Sequence, residues 1–502
     1  MPTLPQISTP ALLAIDVGSS SLRCQLYTPN GEVLGGMEAR RVYEFQVSAE
    51  GGVEVEAEQL FGLLTECLDE ILEKAGPLGS TIAGVALCTF WHNLVGLDAE
   101  GKPLIPVLTW ADTRSLAAVK QLQERLDPAS THQRTGCMFH TSYLPAKFLW
   151  LQQTRPEAFR RAAWWGSLGE YFLLKLFHQP LCSISMASGT GLLDQRLCQW
   201  DAEMLEFLQL DASRLSPLGD FDTPLKGLPE PYASRWPALG SVPWFPAIGD
   251  GASSNIGCGC TGPDRVAVMV GTSGALRVVF PSREYHLPAG LWCYRVDRKR
   301  MVMGGALSNG GNLFQWLTET LRLPEDPGRL EKDLSTLSPG AHGIAVLPFL
   351  AGERSTGWNP QARAVLAGLS LHTRPIDILQ AGLEAVAYRF SSILELLAPS
   401  LPASFEIVAT GGALLQSPSW VKILADVLGR TVTLAEAPEA SSRGVALLAA
   451  EALGLIPSLE KIAPVPGPLF LPRMENYRIH RDLSRRQEEL YGWMYGGNEK
   501  RN

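Results

Sequence analysis

The stretch ALLAIDVGSSSLRCQLYT, residues 11–28, places two apolar runs on either side of a turn built from Gly and Ser. Residues 11–17 and 22–28 have the composition of strands, so the stretch predicts a β-hairpin. The same pattern returns at 266–280, where the turn is Gly271-Thr272-Ser273-Gly274. Two copies of one hairpin, about half a chain apart, predict a duplicated domain rather than a short-period repeat.

The segments around the two hairpins alternate between helix and strand patterns. Apolar residues recur at helical spacing in 57–74, and an apolar strand pattern follows at 82–88. In the second half, strand patterns at 343–350 and 405–410 alternate with helix patterns at 376–397, 418–428 and 443–453. The alternation predicts an α/β fold with mixed sheets flanked by helices. Residues 208–245, rich in Pro, Gly and Ser, are predicted to connect the two halves.

Length and composition restrict the class of protein. With 502 residues, 46% of them hydrophobic, the chain can bury two large cores. A net charge of −8 argues against nucleic acid or an anionic membrane as partner. The 9 cysteines are an odd number in apolar stretches, which favours reduced thiols over a disulfide framework. No secretory signal or membrane-spanning run is recognised, so we expect a cytoplasmic protein.

Three Gly-rich turns are candidates for contact with a nucleotide. In the first hairpin turn, backbone N–H groups and hydroxyls can wrap phosphate oxygens, and Asp16 can hold Mg²⁺ through water. Alone, the two hairpin turns are more typical of an ordinary structural turn, and a third Gly-rich turn is equally typical of one. Matching turns in both halves, however, favour a nucleotide clamped between them. A third turn, Gly411-Gly412, would allow close backbone approach to adenine or ribose. No G-x-x-x-x-G-K-[ST] motif occurs, so this is not a P-loop protein.

One carboxylate, Asp250, lies between Gly249 and Gly251. Phosphoryl transfer to an alcohol needs a group that takes the hydroxyl proton, and a carboxylate in a dry cleft can do this. A Gly-Asp-Gly sequence on its own is more typical of a simple turn.

The ordered set Asp16, Gly249-Asp250, Gly271-Thr272 and Gly411-Gly412 resembles the FGGY family of carbohydrate kinases, from about residue 11 to about 455. Gly352-Glu353-Arg354 is also similar to a segment of that family. The resemblance implies two actin-like ATPase (ribonuclease H-like) domains with the active site in the cleft between them. The implied boundaries are 10–250 for sugar and phosphate binding, 251–458 for nucleotide binding, and 459–502 for a C-terminal appendage.

The resemblance also implies roles for individual residues. Asp250 corresponds to the general base, and Asp16 belongs to the Mg²⁺ and phosphate site. ATP would be contacted by a set of turn residues with their neighbours: Asp16, Gly18, Ser19, Ser20, Arg23, Gly271, Thr272, Gly311, Gly411, Gly412 and Gln416.

Candidate substrate residues follow the strand pattern at 82–88 and lie in the segment 110–114. By themselves, Trp91 and His92 are more typical of a core, but the resemblance implies that they bind substrate. Asp112 and Arg114 offer an acceptor and a forked donor for hydroxyls or a carboxylate, with a structural ion pair as the alternative.

The segments 110–114 and 185–192 are most similar to the gluconokinase and xylulokinase branch, and they favour D-gluconate as substrate. Xylulose or another ketose or polyol remains the alternative. A non-catalytic actin-like sugar sensor and a filament-forming actin relative are less favoured, because Asp250 and the phosphate turns are present. We expect a small sugar or sugar acid as partner, no nucleic acid and no membrane, and we leave a homodimer open.

Overall fold

The computed structural model describes residues 10–282, 285–436 and 439–496. Its strands are β1 (Ala11–Val17), β2 (Ser21–Tyr27), β3 (Val33–Val42), β4 (Gln46–Val47), β5 (Val53–Val55), β6 (Ile82–Thr89), β7 (Val95–Leu97), β8 (Val107–Leu108), β9 (Trp164–Gly166), β10 (Cys182–Ser183), β11 (Leu193–Asp194), β12 (Gln199–Trp200), β13 (Leu218–Gly219), β14 (Trp244–Gly249), β15 (Arg265–Val270), β16 (Gly274–Pro281), β17 (Trp292–Arg295), β18 (Arg300–Leu307), β19 (Ala345–Leu347), β20 (Val365–Ala367), β21 (Glu406–Thr410), β22 (Val432–Leu434) and β23 (Leu469–Phe470).

The α-helices are α1 (Ala57–Ala75), α2 (Leu116–Arg125), α3 (Pro128–Thr135), α4 (Leu144–Thr154), α5 (Pro156–Arg161), α6 (Leu168–Phe177), α7 (Ile184–Ser188), α8 (Ala202–Phe207), α9 (Tyr232–Arg235), α10 (Asp250–Gly257), α11 (Gly311–Thr320), α12 (Pro327–Ser335), α13 (Pro375–Leu397), α14 (Gly412–Gln416), α15 (Pro418–Leu428), α16 (Ala440–Ala452) and α17 (Met474–Tyr495). The helix patterns at 57–74, 376–397 and 418–428 are confirmed to within a residue.

Two sheets repeat one topology. The first has the order β14-β6-β1-β2-β3, in which β14, β6 and β1 are parallel and β2 and β3 are antiparallel. In the second, the five strands β22-β21-β15-β16-β18 have the same order of directions, and β17 and β23 extend its two edges. The predicted duplication, with a mixed sheet in each half, is therefore confirmed.

Each sheet has its own core, and the central strands are covered on both faces. All residues of β1 are buried, as expected for a central strand with layers above and below it. One face of the first sheet packs against α1, and α16 contacts β1 and β6 although it lies late in the chain. The second core gathers around β15, β16 and α13.

Helices α10 and α16 cross at backbone distance and join the two halves. A Cβ at Gly444 would overlap the carbonyl oxygen of Ser253, and a Cβ at Gly257 would overlap that of Ala440. Only glycine permits this separation. Arg443 adds a hydrogen bond from its Nε to the Gly31 carbonyl oxygen at 3.0 Å. Buried residues of both helices, among them Ile256 and Leu447, belong to the first core, so the crossing attaches a late segment of the chain to the first half.

The structure corrects the expected role of residues 208–245. They belong to the first half, where Trp236, Leu239 and Trp244 are buried in the first core, and β14 then completes the first sheet as an edge strand. The Pro and Gly content reflects a tight path over that core rather than a link between halves. The predicted appendage likewise packs against the second half, where β23 pairs with β22 and α17 contacts α13 and α15.

Candidate functional site

The ends of three parallel strands meet in the first half. Asp16 lies near the end of β1, Thr89 ends β6, and Asp250 follows β14 directly. The neighbouring strands hold these ends in register, since Thr89 pairs with Val17 on one side and with Gly249 on the other. Carboxyl ends of parallel strands lie at one edge of a sheet, and this edge is where ligands of open α/β sheets bind.

Asp250 begins α10 as a half-buried carboxylate. Its Oδ1 accepts a hydrogen bond from the Gly251 N–H at 2.8 Å. Burial raises the pKa of Asp250 to about 6, although the Arg277 guanidinium and the Gly251 N–H lower it, and the Asp16 carboxylate adds to the rise. Near neutral pH the group is therefore ionised yet basic enough to accept a proton.

Asp16 and the first turn form an acidic and hydroxyl-rich corner. Asp16 is buried, accepts a hydrogen bond from the Cys88 thiol at 3.2 Å, and has Arg23 Nη1 3.6 Å from its Oδ2. Burial raises the pKa of Asp16, while Arg23 lowers it. Arg23 also forms an ion pair with Glu439. The side chains of Ser19 and Ser20 are exposed at the turn.

The candidate nucleotide turns of the second half converge on each other. The N–H of Gly311 donates to the Gly271 carbonyl oxygen at 2.8 Å, and a Cβ at Gly311 would overlap that same oxygen. Gly411 has φ +104°, and a Cβ there would overlap the Val270 carbonyl oxygen. One glycine-lined surface therefore forms where three segments meet. These segments are the turn between β15 and β16, the start of α11, and the start of α14 with Gly412. Gln416 is exposed at the end of α14.

Trp91 and His92 lie in an aromatic cluster that spans both halves. Trp91 donates from Nε1 to the Ser185 carbonyl oxygen at 3.1 Å and contacts Tyr294 at 4.9 Å between ring centroids. His92 contacts Tyr143 at the same ring-centroid distance, 4.9 Å. Burial is the main reason that the pKa of His92 is well below its ordinary value. Both residues are buried, so in this state they form a wall rather than an open platform.

Trp91 explains the glycines on both sides of Asp250. A Cβ at Gly249 would overlap the indole ring, and a Cβ at Gly251 would lie 2.8 Å from Trp91 Cζ3. The Gly-Asp-Gly sequence is therefore required because the indole ring packs directly against the backbone that carries the carboxylate.

Asp112 and Arg114 are placed together as an ion pair in the first half. Asp112 is buried and accepts from Arg114 Nη2 at 2.6 Å and from the Val53 N–H at 3.2 Å. Arg114 Nη2 also donates to Glu54 at 2.6 Å, and the guanidinium lies 4.8 Å from the Trp150 ring centroid. Two carboxylates thus occupy this guanidinium in the present structure.

A cavity of about 1240 Å³ lies between the halves. Thr272, Ser273 and Asn312 line it from the second half, and Trp110 and His140 line it from the first. The turn that carries Thr272 is therefore brought into the same cleft as the segment that carries Arg114. Arg114 also lines this cavity, whereas Asp16, Trp91, His92, Asp250, Gly411 and Gly412 are not among its lining residues.

Sequence reasoning missed two arginines of the second half that reach toward the first. Arg277 is buried on β16, and Arg354 lies 6.0 Å from the ring centroids of both Trp110 and Trp358. A signal for Arg277 was present, because it interrupts the apolar run of the second hairpin at 275–280. Arg354 belongs to the segment Gly352-Glu353-Arg354, which resembles the family, but its sequence context does not indicate a role.

Residues 11–257 match the N-terminal domain of the FGGY family of carbohydrate kinases, and residues 266–453 match its C-terminal domain. The chain is 26% identical to a gluconokinase of Bacillus subtilis (strain 168), over 92% of this chain and 91% of that protein. It is 24% identical to a xylulose kinase of Lactococcus lactis subsp. lactis, over 95% and 97%.

Solved structures share the fold. A gluconate kinase from Lactobacillus acidophilus superposes with a TM-score of 0.90 and 24% identity, covering 99% of this chain and 100% of that one. A ligand-bound xylulose kinase from the same organism also gives 0.90 and 24%, covering 98% and 100%. These similarities confirm the predicted two-domain actin-like fold. Among the described residues, no helix combines the length and apolar character needed to cross a membrane.

Proposed function

Since the chain belongs to the FGGY family of carbohydrate kinases, we propose that it transfers the γ-phosphate of ATP to a hydroxyl of a sugar acid, with D-gluconate as the favoured substrate. The observation that carries the proposal is the half-buried Asp250 carboxylate, held at the meeting point of three parallel strand ends and opposite the second half. Asp250 acts as the general base.

Asp250 has two properties that suit this role. Its carboxylate is fixed by the start of α10 and by the Gly251 N–H, so little motion is needed to align it with a substrate hydroxyl. Its pKa of about 6 allows it to be ionised at neutral pH and still take the hydroxyl proton as the bond to phosphorus forms.

ATP would be held from both halves. We propose that the turn with Gly18, Ser19, Ser20 and Arg23 contacts the phosphates from the first half. The turn with Gly271 and Thr272 contacts them from the second. Gly311, Gly411, Gly412 and Gln416 form the adenosine side. Their convergence into one glycine-lined surface gives the backbone room to approach a flat base.

The residues present fit a magnesium ion that is bound mainly by the nucleotide. Mg²⁺ prefers oxygen ligands and keeps several waters, so one or two protein carboxylates are enough. Asp16 supplies such a carboxylate, which accepts a hydrogen bond from the Cys88 thiol and forms an ion pair with Arg23 at 3.6 Å, and it would hold the ion through water. The ion would neutralise charge on the transferred phosphoryl group.

On the substrate side, Trp91 and His92 form the wall next to the base. Asp112 and Arg114 form the rim at the segment 110–114, where their ion pair would order the loop that faces the cavity. Opening of the cleft between the halves would admit the substrate, and closure would exclude water from the γ-phosphate.

The proposal is tested with purified protein, ATP and a panel of D-gluconate, D-xylulose, glycerol and L-ribulose, by following ADP formation. We expect the highest kcat/KM for D-gluconate. The similarity to xylulose kinases supports a ketose as the second candidate. A higher kcat/KM for xylulose would favour that candidate over gluconate. Absence of ADP formation with every sugar would instead favour the non-catalytic sensor.

A further inference from the structure

Arg277 is a buried cation that has no ion-pair partner in the part of the chain that the structure describes. Its side chain lies on β16, and the residue is 3% exposed. Within the described residues its Nε and Nη2 have no hydrogen-bond partner, and no ion pair includes it. Burial lowers the pKa of this guanidinium, although the Asp250 carboxylate raises it. A buried charge with unsatisfied donors is costly, so a site that keeps one is expected to receive an anion.

The position of Arg277 points to the substrate. A Cβ at Gly251 would overlap Arg277 Nη1, so the guanidinium lies against the backbone next to Asp250. The same Cβ would lie 2.8 Å from the Trp91 ring. The guanidinium from the second half, the base and the proposed substrate wall therefore meet around Gly251.

The neighbouring strand leaves room for the extended side chain of Arg277. Arg277 pairs with Gly304 across the sheet, and a Cβ at Gly304 would lie 3.0 Å from Arg277 Cγ. The missing side chain at Gly304 therefore leaves room for the arginine stem. Ala275, two residues earlier, lies on the same face of β16 because side chains alternate along a strand.

We propose that Arg277 binds the carboxylate of the sugar acid and thereby determines the preference for an acid over a neutral sugar. This inference rests on the proposed function. A sugar acid brings a further negative charge to a cleft that already holds Asp16, Asp250 and the phosphates of ATP. Arg277 supplies the opposite charge in a forked geometry that matches a carboxylate.

The other cations near the cleft are less suited to this role. Arg114 is already paired with two carboxylates, Asp112 and Glu54. Lys147 donates to the carbonyl oxygens of His92 and Ser142, and burial lowers its pKa to about 7. Arg354 is only half-buried and lies near two Trp rings at the cavity. Arg277 alone among these combines burial with two unsatisfied nitrogens beside the base.

The test compares D-gluconate with D-glucitol, which differs in carrying a hydroxymethyl group where gluconate has its carboxylate. In Arg277→Met the ratio of kcat/KM for gluconate to that for glucitol should fall roughly ten- to a hundredfold, the scale of a charged, two-pronged hydrogen bond. Arg354→Met is the matched control and should leave the ratio unchanged. An equal loss for both substrates in Arg277→Met, or a change of the ratio in Arg354→Met alone, would overturn the assignment.

Arg277→Lys provides a second test of the proposal if Arg277→Met does not fold. It keeps the charge but not the fork, so KM for gluconate should rise while KM for glucitol changes little. An equal rise in both KM values would count against the proposal. If the wild-type protein prefers a neutral ketose to every sugar acid, the proposed function itself fails. If it prefers gluconate but Arg277 variants do not alter the ratio, only the role of Arg277 fails.

Discussion

Replacing Asp250 with Asn should remove phosphoryl transfer and at the same time stabilise the folded protein at neutral pH. The activity loss follows from removal of the general base and should be about 10²- to 10⁴-fold in kcat. The gain in stability follows from burial, which makes the ionised carboxylate unfavourable in the folded state. Asn has nearly the same shape as Asp and carries no charge, so the substitution removes the cost of burying the charge without leaving a cavity.

The size of the stability effect follows from the pKa. Burial raises the pKa of Asp250 from 3.8 to about 6. The folded state therefore binds a proton more tightly than the unfolded chain, and the free energy of unfolding falls as pH rises from about 4 to about 6. At 1.36 kcal/mol per pKa unit, the ionised group lowers the free energy of unfolding by at most about 3 kcal/mol above pH 6. Below about pH 4 both states are protonated and the difference disappears.

Thermal unfolding of wild-type protein and Asp250→Asn at pH 4.5 and pH 8 measures this effect. The variant should unfold a few °C higher at pH 8, and the two proteins should approach each other at pH 4.5. Ser254→Ala, at a nearly buried polar position of the same helix, controls for general changes in α10. A variant that is less stable than wild type at pH 8, or a difference independent of pH, would refute the argument that burial raises this pKa.

Four further outcomes follow from the structure. The kcat/KM for the sugar should fall about tenfold per pH unit below pH 6, because protonated Asp250 cannot accept a proton, and a pH profile without this limb would contradict its role. Gly411→Ala should lower the unfolding temperature and weaken ATP binding in a titration, because its φ of +104° and the close Val270 carbonyl leave no room for a methyl group. Small-angle scattering should show compaction when ATP and sugar bind together, and unchanged dimensions at saturation would count against an interdomain site. Between pH 6.5 and pH 4 the free energy of unfolding should fall less in His140→Gln than in the wild-type protein, because burial lowers the pKa of His140 to about 3 and the unfolded chain therefore binds an extra proton; an equal change in both proteins would contradict this.

Much of the fold could be predicted because it is encoded locally. The hairpin at 11–28 and its copy at 266–280 carry the apolar runs and turn residues that define a strand pair. The helix at 418–428 begins with Pro and ends before Gly429, which are standard boundary signals. The prediction that 208–245 connects the two halves is wrong because the Pro and Gly content of this segment resembles that of a linker. The burial of Trp236 and Trp244 depends on distant residues that form the first core.

The polar residues of the site show where sequence reasoning ends. The sequence by itself determined that Asp250 is held between glycines and that matching turns occur in both halves. Only the tertiary structure decided which arginine is available to a ligand. Arg114 forms an ion pair with Glu54 from 60 residues away, whereas Arg277 comes to lie beside Gly251 with two nitrogens that have no hydrogen-bond partner among the described residues. Hydrophobic periodicity is a property of neighbouring residues, but the pairing of charges depends on which distant segments the fold brings together.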